Sequence, residues 1–266
     1  MKLLVQASDY GFTRASTYGV IDSIDLGLVR NTGLFVNMPT AKFAIDLLKT
    51  RTNVCLGLDF NITNGPCVSN PQKIPHLVDK EGNFIRSSVR VKDPRFQTEE
   101  GRREMFPYQE CLLEMNAQYQ LFLKLTGKRP GYLHDHSLSH ENYTDTIRQL
   151  SKEYRVPYTR DIQEKYHFGS LGKKMYPEAF AMNKEIDYEK QIAKNPEKIF
   201  WENINEVMQY EYFILSGHAA YIDADLLELS SCSIERCKDA ALCMSPRLKK
   251  WIEEYQIELI TYNDLK

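Results

Sequence analysis

Short β-rich runs alternate with longer amphipathic stretches, and this alternation is the feature that most constrains how the 266-residue chain can fold. The first half offers three candidate strands, KLLVQ (2–6), GLFVN (33–37) and VCLGLDFNIT (54–63). Apolar residues at helical spacing predict a helix over about 14–26, between the first two strands, and another after Pro39. Strands separated by helices are typical of a parallel sheet. We therefore predict an α/β fold, a (β/α) barrel or an incomplete one.

The second half continues the pattern. Helices are predicted at about 99–126 and 141–154, on either side of GYLHDH, and a closing strand at IELITY (257–262). The run YFILSGHAAY (212–221) again predicts a strand that gives way to a polar loop.

Between these halves, residues 64–98 show no sustained period and contain several prolines, so they form a long loop insertion. Loops of this length are usually substrate-binding walls or lids. No repeat or Gly/Ser/Pro-rich linker divides the chain, so we expect a single domain over residues 1–266.

Composition excludes several classes of function. The chain has 34 basic and 36 acidic side chains, a formal charge of −2, so it offers no electrostatic reason to expect nucleic acid. No apolar run approaches the length needed to span a bilayer, and the first residues lack a signal-peptide core, so a cytoplasmic location without membrane contact is expected. The six cysteines contain no CxxC pair, and reduced thiols are expected.

Polar side chains gather where the predicted strands end. Each has an ordinary explanation alone, as a turn cap, a surface ion pair or a core histidine. In a barrel of parallel strands, however, the active site is built at this end. The residues that share this position are Asp9, Asp59, His134, Asp135, His136 and His218.

Two carboxylates and one imidazole would make a hard, mostly oxygen site for Mg²⁺, Mn²⁺ or Zn²⁺, with positions left for water. Such a metal could polarise a carbonyl or lower the pKa of bound water. His218, across the pocket, could protonate a leaving group or support an oxyanion.

Four motifs in order resemble the YdjC-like carbohydrate deacetylases, also called the ChbG/HpnK group. ASDYGFT resembles the family's ADDFG, GLDFNITNGP its GLHLNLTxGxP, YLHDHSLSH its HIDSHxHxH, and GHAAYID its late CHPAxxD-like motif. The resemblance implies a distorted (β/α) barrel, a divalent metal, removal of acetyl groups from N-acetylated sugars, and homo-oligomers, often dimers.

Carried over residue by residue, the resemblance makes Asp9 and His136 metal ligands, with His140 matching the last histidine of its string. Ser8 stands where the family has its proposed base, and a hydroxyl cannot replace a carboxylate there at neutral pH. Asp59 stands in place of a ligand histidine, which would favour Mg²⁺ or Mn²⁺ over Zn²⁺.

His134 takes the place of a family aspartate, and Asp135 should point to the opposite face if the strand continues. Two accounts fit. In the first, Asp9, Asp59 and His136 hold the metal, and His134 or Asp135 acts as base in a metal-dependent sugar deacetylase. In the second, catalysis is lost and the pocket only binds a carbohydrate or metabolite. Hydrolysis of a different bond is a third, weaker idea.

Other matched positions suggest that the pocket survives. The turn after the third strand keeps Asn61, and Arg236 matches a family arginine near the pocket. Tyr10 offers an aromatic face of the kind that sugar rings bury. We therefore predict Tyr10, Asn61 and Arg236 as substrate-binding residues.

Overall fold

The computed structural model describes residues 1–138, 140–177 and 187–265, and its centre is a curled, open sheet of parallel strands. The strands follow the order β4-β3-β2-β1-β6-β5, and β7 pairs with β1 beside this path. Every pairing between these strands is parallel. The sequence prediction of an α/β, barrel-like fold is confirmed in the form of a half-barrel.

The strands are β1 Lys2–Tyr10, β2 Asn31–Leu34, β3 Cys55–Phe60, β4 Leu133–Asp135, β5 Gly169–Ser170, β6 Tyr212–Gly217 and β7 Glu258–Ile260. The helices are α1 Arg14–Asp25, α2 Ala41–Leu48, α3 Ser87–Arg90, α4 Glu99–Met105, α5 Tyr108–Thr126, α6 Glu141–Tyr154, α7 Thr159–Lys165, α8 Gly172–Met175, α9 Tyr188–Ala193, α10 Pro196–Glu202, α11 Ile204–Val207, α12 Ala224–Leu229, α13 Glu235–Cys243 and α14 Pro246–Glu254.

The helix predictions at 14–26 and 141–154 are confirmed by α1 and α6. The prediction of one helix over 99–126 is wrong, because α4 ends at Met105 and α5 begins at Tyr108. Pro107 lies at the junction, where it has no backbone N–H to continue the ladder of α4.

The core lies on both faces of the sheet, and β1 is its centre. Leu3, Leu4, Val5 and Ala7 have no exposed surface, although consecutive strand residues point to opposite faces. This continuous burial is typical of a parallel strand covered on both sides by helices. It fixes the strand ends, and with them the polar residues that follow.

The long loop is folded against the body of the protein. The Glu114 carboxylate, on α5, accepts hydrogen bonds from the backbone N–H groups of Val68 and Ser69 and from the Ser69 hydroxyl. Ile74 and Leu77, two apolar residues of the loop itself, are fully buried. The segment is therefore a packed wall beside the strand ends.

All six cysteines are free thiols, as predicted. In the described ranges, no helix combines the length and apolarity needed to cross a bilayer.

Candidate active site

Asp9 lies at the end of β1 in a backbone conformation that is uncommon for an aspartate. Its φ of 64° is in the left-handed region, which costs a residue other than glycine about 1–3 kcal/mol. Its N–H donates to Oδ2 of Asp59 at 3.1 Å, so the unusual turn joins the ends of β1 and β3. The structure thus places these two carboxyl groups close together, as the sequence predicts.

The pKa values of the two carboxyl groups are shifted in opposite directions. Burial and the neighbouring charge of Asp9 raise the pKa of Asp59 well above its usual range. Burial also acts to raise the pKa of Asp9, but the charges of His136 and Arg236 outweigh it and hold that pKa well below its usual range. Asp9 is therefore the ionised member of the pair.

Two cationic or basic side chains face the Asp9 carboxylate. His136 Nδ1 lies 2.8 Å from Oδ1, and the Arg236 guanidinium nitrogen Nη2 lies 2.8 Å from Oδ2. Both are short ion-pair contacts, although neither has the alignment of a hydrogen bond. The Asp9 charge is therefore balanced by the Arg236 guanidinium at Oδ2, while the His136 imidazole lies beside Oδ1.

His136 is positioned by the helix that follows it. Its backbone N–H donates to the Tyr143 hydroxyl at 2.9 Å, and that hydroxyl donates to the Phe60 carbonyl at the end of β3. The rings of His136 and Phe35 pack edge to face, with 4.6 Å between centroids. Sequence reasoning missed Tyr143, which has no motif signal because its role depends on the packing of α6 against β3.

His134 and Asp135 point to different partners. His134 Nδ1 lies 2.7 Å from the Thr159 hydroxyl, and burial lowers the His134 pKa below its usual value against the opposing charge of Asp135. Oδ1 of Asp135 accepts hydrogen bonds from the Tyr158 hydroxyl and Arg160 Nε, and Oδ2 accepts one from Arg160 Nη2. Because both of its oxygens are engaged, Asp135 is poorly placed to serve as the base that the sequence suggested.

His218 follows β6 and completes the arrangement. Its backbone N–H donates to Oδ2 of Asp239 at 3.0 Å, while its ring Nδ1 is buried with no hydrogen-bond partner. Burial lowers the His218 pKa to about 4, although Asp9 opposes this shift. The imidazole is therefore neutral at pH 7.

A buried ionic network supports His218 from behind. The Lys194 ammonium lies 2.5 Å from Glu235 and 3.9 Å from Asp239, and it sits over the Tyr176 ring. Lys194 directly follows α9, Glu235 and Asp239 lie on α13, and Tyr176 directly follows α8, so their meeting has no local sequence signature. Sequence reasoning missed all of them.

The site is layered from buried carboxylates to partly exposed imidazoles. Asp9, Asp59 and Arg236 are almost fully buried. His136 has 11% of its side chain exposed, and His134 and His218 are also partly exposed. A molecule arriving from solvent therefore meets the imidazoles first.

The fit to a divalent metal is poor. Asp9 and Asp59 leave buried carboxylate oxygens without hydrogen bonds, which would suit a cation. However, among residues 1–138, 140–177 and 187–265, no group of three His, Cys, Asp or Glu side chains is spaced to hold one. The positive group that does lie against Asp9 is Arg236. The predicted ligands Asp9, Asp59 and His136 lie together, but they do not form a complete metal-binding site.

Two predicted substrate contacts lie in the interior. Tyr10 is fully buried and donates its hydroxyl to the Ala44 carbonyl on α2. Asn61 is also fully buried, and its side-chain oxygen accepts from the N–H groups of Thr63 and Asn64. Tyr10 points into the interior toward α2, whereas Asn61 holds the turn after β3. Neither offers a surface to substrate.

Ser8 is partly exposed, and its Oγ accepts a hydrogen bond from the Gln6 amide at 3.2 Å. Arg236, the third predicted substrate contact, is held against Asp9 instead. The position of the family base thus holds a neutral hydroxyl.

The fold is therefore of the α/β class, a half-barrel of parallel strands with a cluster of carboxylates and imidazoles at its strand ends, the edge at which enzymes of such folds build their active sites. Residues 2–254 match the sequence profile of the YdjC-like protein family. The chain belongs to this family.

Named relatives extend over the whole chain. Carbohydrate deacetylase 2 of Listeria innocua is 30% identical, with 100% of this chain and 99% of the relative covered. A carbohydrate deacetylase of Clostridium beijerinckii is 25% identical, with both chains fully covered. The crystal structure of a proposed cellobiose-phosphate cleavage protein from Enterococcus faecalis superposes with a TM-score of 0.76 at 22% identity, covering 99% of this chain and 98% of that one. At that identity the structural likeness shows the fold.

Proposed function

We propose that the protein hydrolyses an acetyl group from an acetylated sugar, with the Asp9–His136 pair as its general base. The observation that carries this proposal is the 2.8 Å contact between His136 Nδ1 and Asp9 Oδ1 at the strand ends. The relatives named carbohydrate deacetylase, which match the whole chain, support the choice of substrate class.

His136 is the best-placed base in the site. A carboxylate beside Nδ1 favours the proton on that nitrogen and leaves Nε2 to accept a proton from water. The ionised Asp9 then stabilises the imidazolium that forms. The other candidates are less suitable, because the partner of His134 Nδ1 is the neutral Thr159 hydroxyl, which does not stabilise an imidazolium as a carboxylate does, and Asp135 is bound to Arg160.

His218 serves as a hydrogen-bond donor, in contrast to the base His136. As a neutral imidazole it can donate an N–H to the carbonyl oxygen of the acetyl group while negative charge develops there. The hydrogen bond from its backbone N–H to Asp239 fixes the position of the residue at the end of β6.

The reaction balances without a further reagent. The water oxygen bonds to the acetyl carbon while its proton passes to Nε2 of His136. When the C–N bond breaks, the leaving nitrogen takes a proton from the imidazolium. The products are acetate and the free amino sugar, and His136 returns to its neutral form.

The Mg²⁺ or Mn²⁺ dependence expected from the family resemblance stays a prediction, and no step above uses a metal because the donor set does not close. Homodimer assembly and a cytoplasmic location also stay predictions. Light scattering of the purified protein tests the first.

The deciding experiment measures acetate released from N-acetylglucosamine oligomers, in EDTA and with added Mg²⁺, Mn²⁺, Zn²⁺ or Co²⁺. The wild type should release acetate, and His136→Ala should lower the rate by about 10²–10⁴. His76→Ala is the matched control, because His76 is exposed on the long loop and outside the site. No release by the wild type under any condition would refute the proposal.

The second candidate is binding of a carbohydrate without hydrolysis, and Ser8 is the observation that favours it. A hydroxyl paired with Gln6 provides no carboxylate where the family has its proposed base. Calorimetric binding of chitobiose by a wild type that releases no acetate would support this candidate. Activity gained in Ser8→Asp would then show that the natural chain lost its base.

A further inference from the structure

The site contains buried carboxylate oxygens that need positive charge. Both oxygens of Asp9 and Oδ1 of Asp59 are shielded from solvent and accept no hydrogen bond. Asp9 is the ionised member of the pair, and a buried carboxylate without compensation is strongly unfavourable, so a cation must lie close to Asp9.

The Arg236 guanidinium is that cation, and the fold fixes it in place. Its Nε donates to the Cys232 carbonyl at 2.7 Å, and Nη2 lies 3.4 Å from the Ser230 hydroxyl and 2.8 Å from Asp9 Oδ2. The guanidinium carbon lies 5.6 Å from the centre of the Phe12 ring. Only 3% of the side chain is exposed, so it has no solvent-filled space into which to turn.

We propose that Arg236 is the permanent cation of this centre, and that it holds the Asp9–His136 pair in a working arrangement without a divalent metal. The catalytic part of this inference rests on the proposed deacetylase function, whereas the claim that no divalent metal binds at Asp9 does not.

Electrostatic repulsion explains why a divalent metal ion does not bind at Asp9 beside Arg236. Arginine keeps its charge at all accessible pH values, so Asp9 is always neutralised by its neighbour. A divalent ion at Asp9 would lie within a few ångströms of the guanidinium and would be repelled by it. With Arg236 in place, no three His, Cys, Asp or Glu side chains among the residues that the structure describes are grouped to hold such an ion.

The test is a Mn²⁺ titration of EDTA-treated protein, with free Mn²⁺ followed by EPR and the melting temperature by calorimetry. The wild type should bind no Mn²⁺ and show no shift in melting temperature. Arg236→Met removes the charge but keeps much of the volume, so it should gain a site for one Mn²⁺ and melt higher when Mn²⁺ is present. Arg236→Lys keeps the charge and should behave like the wild type.

Arg102→Met is the matched control, because Arg102 also pairs with a carboxylate, Glu141, but lies outside the site. It should gain no Mn²⁺ binding. Stoichiometric metal in the purified wild type, or Mn²⁺ binding by the EDTA-treated wild type, would overturn the inference.

A folded Arg236→Met that gains no Mn²⁺ binding would also overturn the inference. If Arg236→Met does not fold, the wild-type and Arg236→Lys titrations decide alone. A wild type that binds no Mn²⁺ and also releases no acetate would refute the proposed function and leave this inference standing.

Discussion

The Asp59 carboxylate lies in the space that a side chain on Gly33 would occupy. A Cβ on Gly33 would fall 1.6 Å from Asp59 Oδ1. The two residues lie on the neighbouring strands β2 and β3, and the missing side chain lets Asp59 reach across β2 to the N–H of Asp9. A glycine in the sheet is therefore a precondition for the site.

We expect Gly33→Ala to destabilise the protein by about 1–3 kcal/mol, the usual cost of overpacking a core. Adding Asp59→Ala should recover part of the lost stability, because it removes the carboxylate from the space that the new methyl group needs. Urea unfolding of both single variants and the double variant measures the coupling. Additive effects would show that the two side chains do not compete. Gly172→Ala, at the start of α8, serves as the control with little change expected.

Lys194→Met tests the network behind His218. It removes the cation that is buried between Glu235 and Asp239, and breaking a buried ion pair costs about 3–5 kcal/mol. Chemical denaturation provides the measurement. Lys198→Met breaks an exposed pair with Glu202 and should cost less than about 1 kcal/mol. Equal losses in the two variants would contradict the structure.

Much of the fold could be predicted from the sequence, because parallel strands and their helices leave local patterns. The helix at 141–154 is an example, with its apolar face and its boundaries both visible in the sequence. The break at Pro107 was missed because the apolar period continues through it, although proline is a local signal that could have revealed it.

The site was only partly predictable. The residue types and their common position at strand ends correctly predict that Asp9, Asp59 and His136 lie together. The pairing of Asp9 with Arg236 joins residues 227 positions apart and depends on how α13 packs, which no local pattern encodes. Tyr10 was misplaced because proximity to a motif was given more weight than the alternation of side chains along a strand.

His140 makes stability depend on pH. It caps α6 by accepting the Tyr143 N–H at Nδ1, and its ring stacks on Phe106. Burial lowers its pKa to about 3, so in the folded protein it stays neutral while the unfolded chain takes up a proton near pH 6.5. Its contribution to stability is complete above pH 6.5 and is lost as the pH falls toward 3.

From pH 6.5 to 5 this loss should amount to about 1.6 kcal/mol. His140→Asn keeps a capping oxygen but cannot titrate, so the difference in unfolding free energy between wild type and variant should shrink by that amount. Urea unfolding at the two pH values measures it. A difference that does not change with pH would refute this role of His140.

Glu114→Ala should release the start of the long loop. The carboxylate accepts three hydrogen bonds from Val68 and Ser69, and leaving buried donors unpaired costs about 1–3 kcal/mol. Limited proteolysis should cut the variant near residues 66–70 faster than the wild type. Glu114→Gln retains an acceptor oxygen and should be cut at an intermediate rate. Identical cleavage of all three proteins would contradict the anchoring role.

The most direct test of the central claim compares initial rates of acetate release from N-acetylglucosamine oligomers by EDTA-treated wild type and EDTA-treated His136→Gln. The account predicts release by the wild type in EDTA and a rate lower by about 10²–10⁴ in the variant, because the variant has no imidazole to accept the proton. No release by the EDTA-treated wild type, or equal rates in the two proteins, would contradict it.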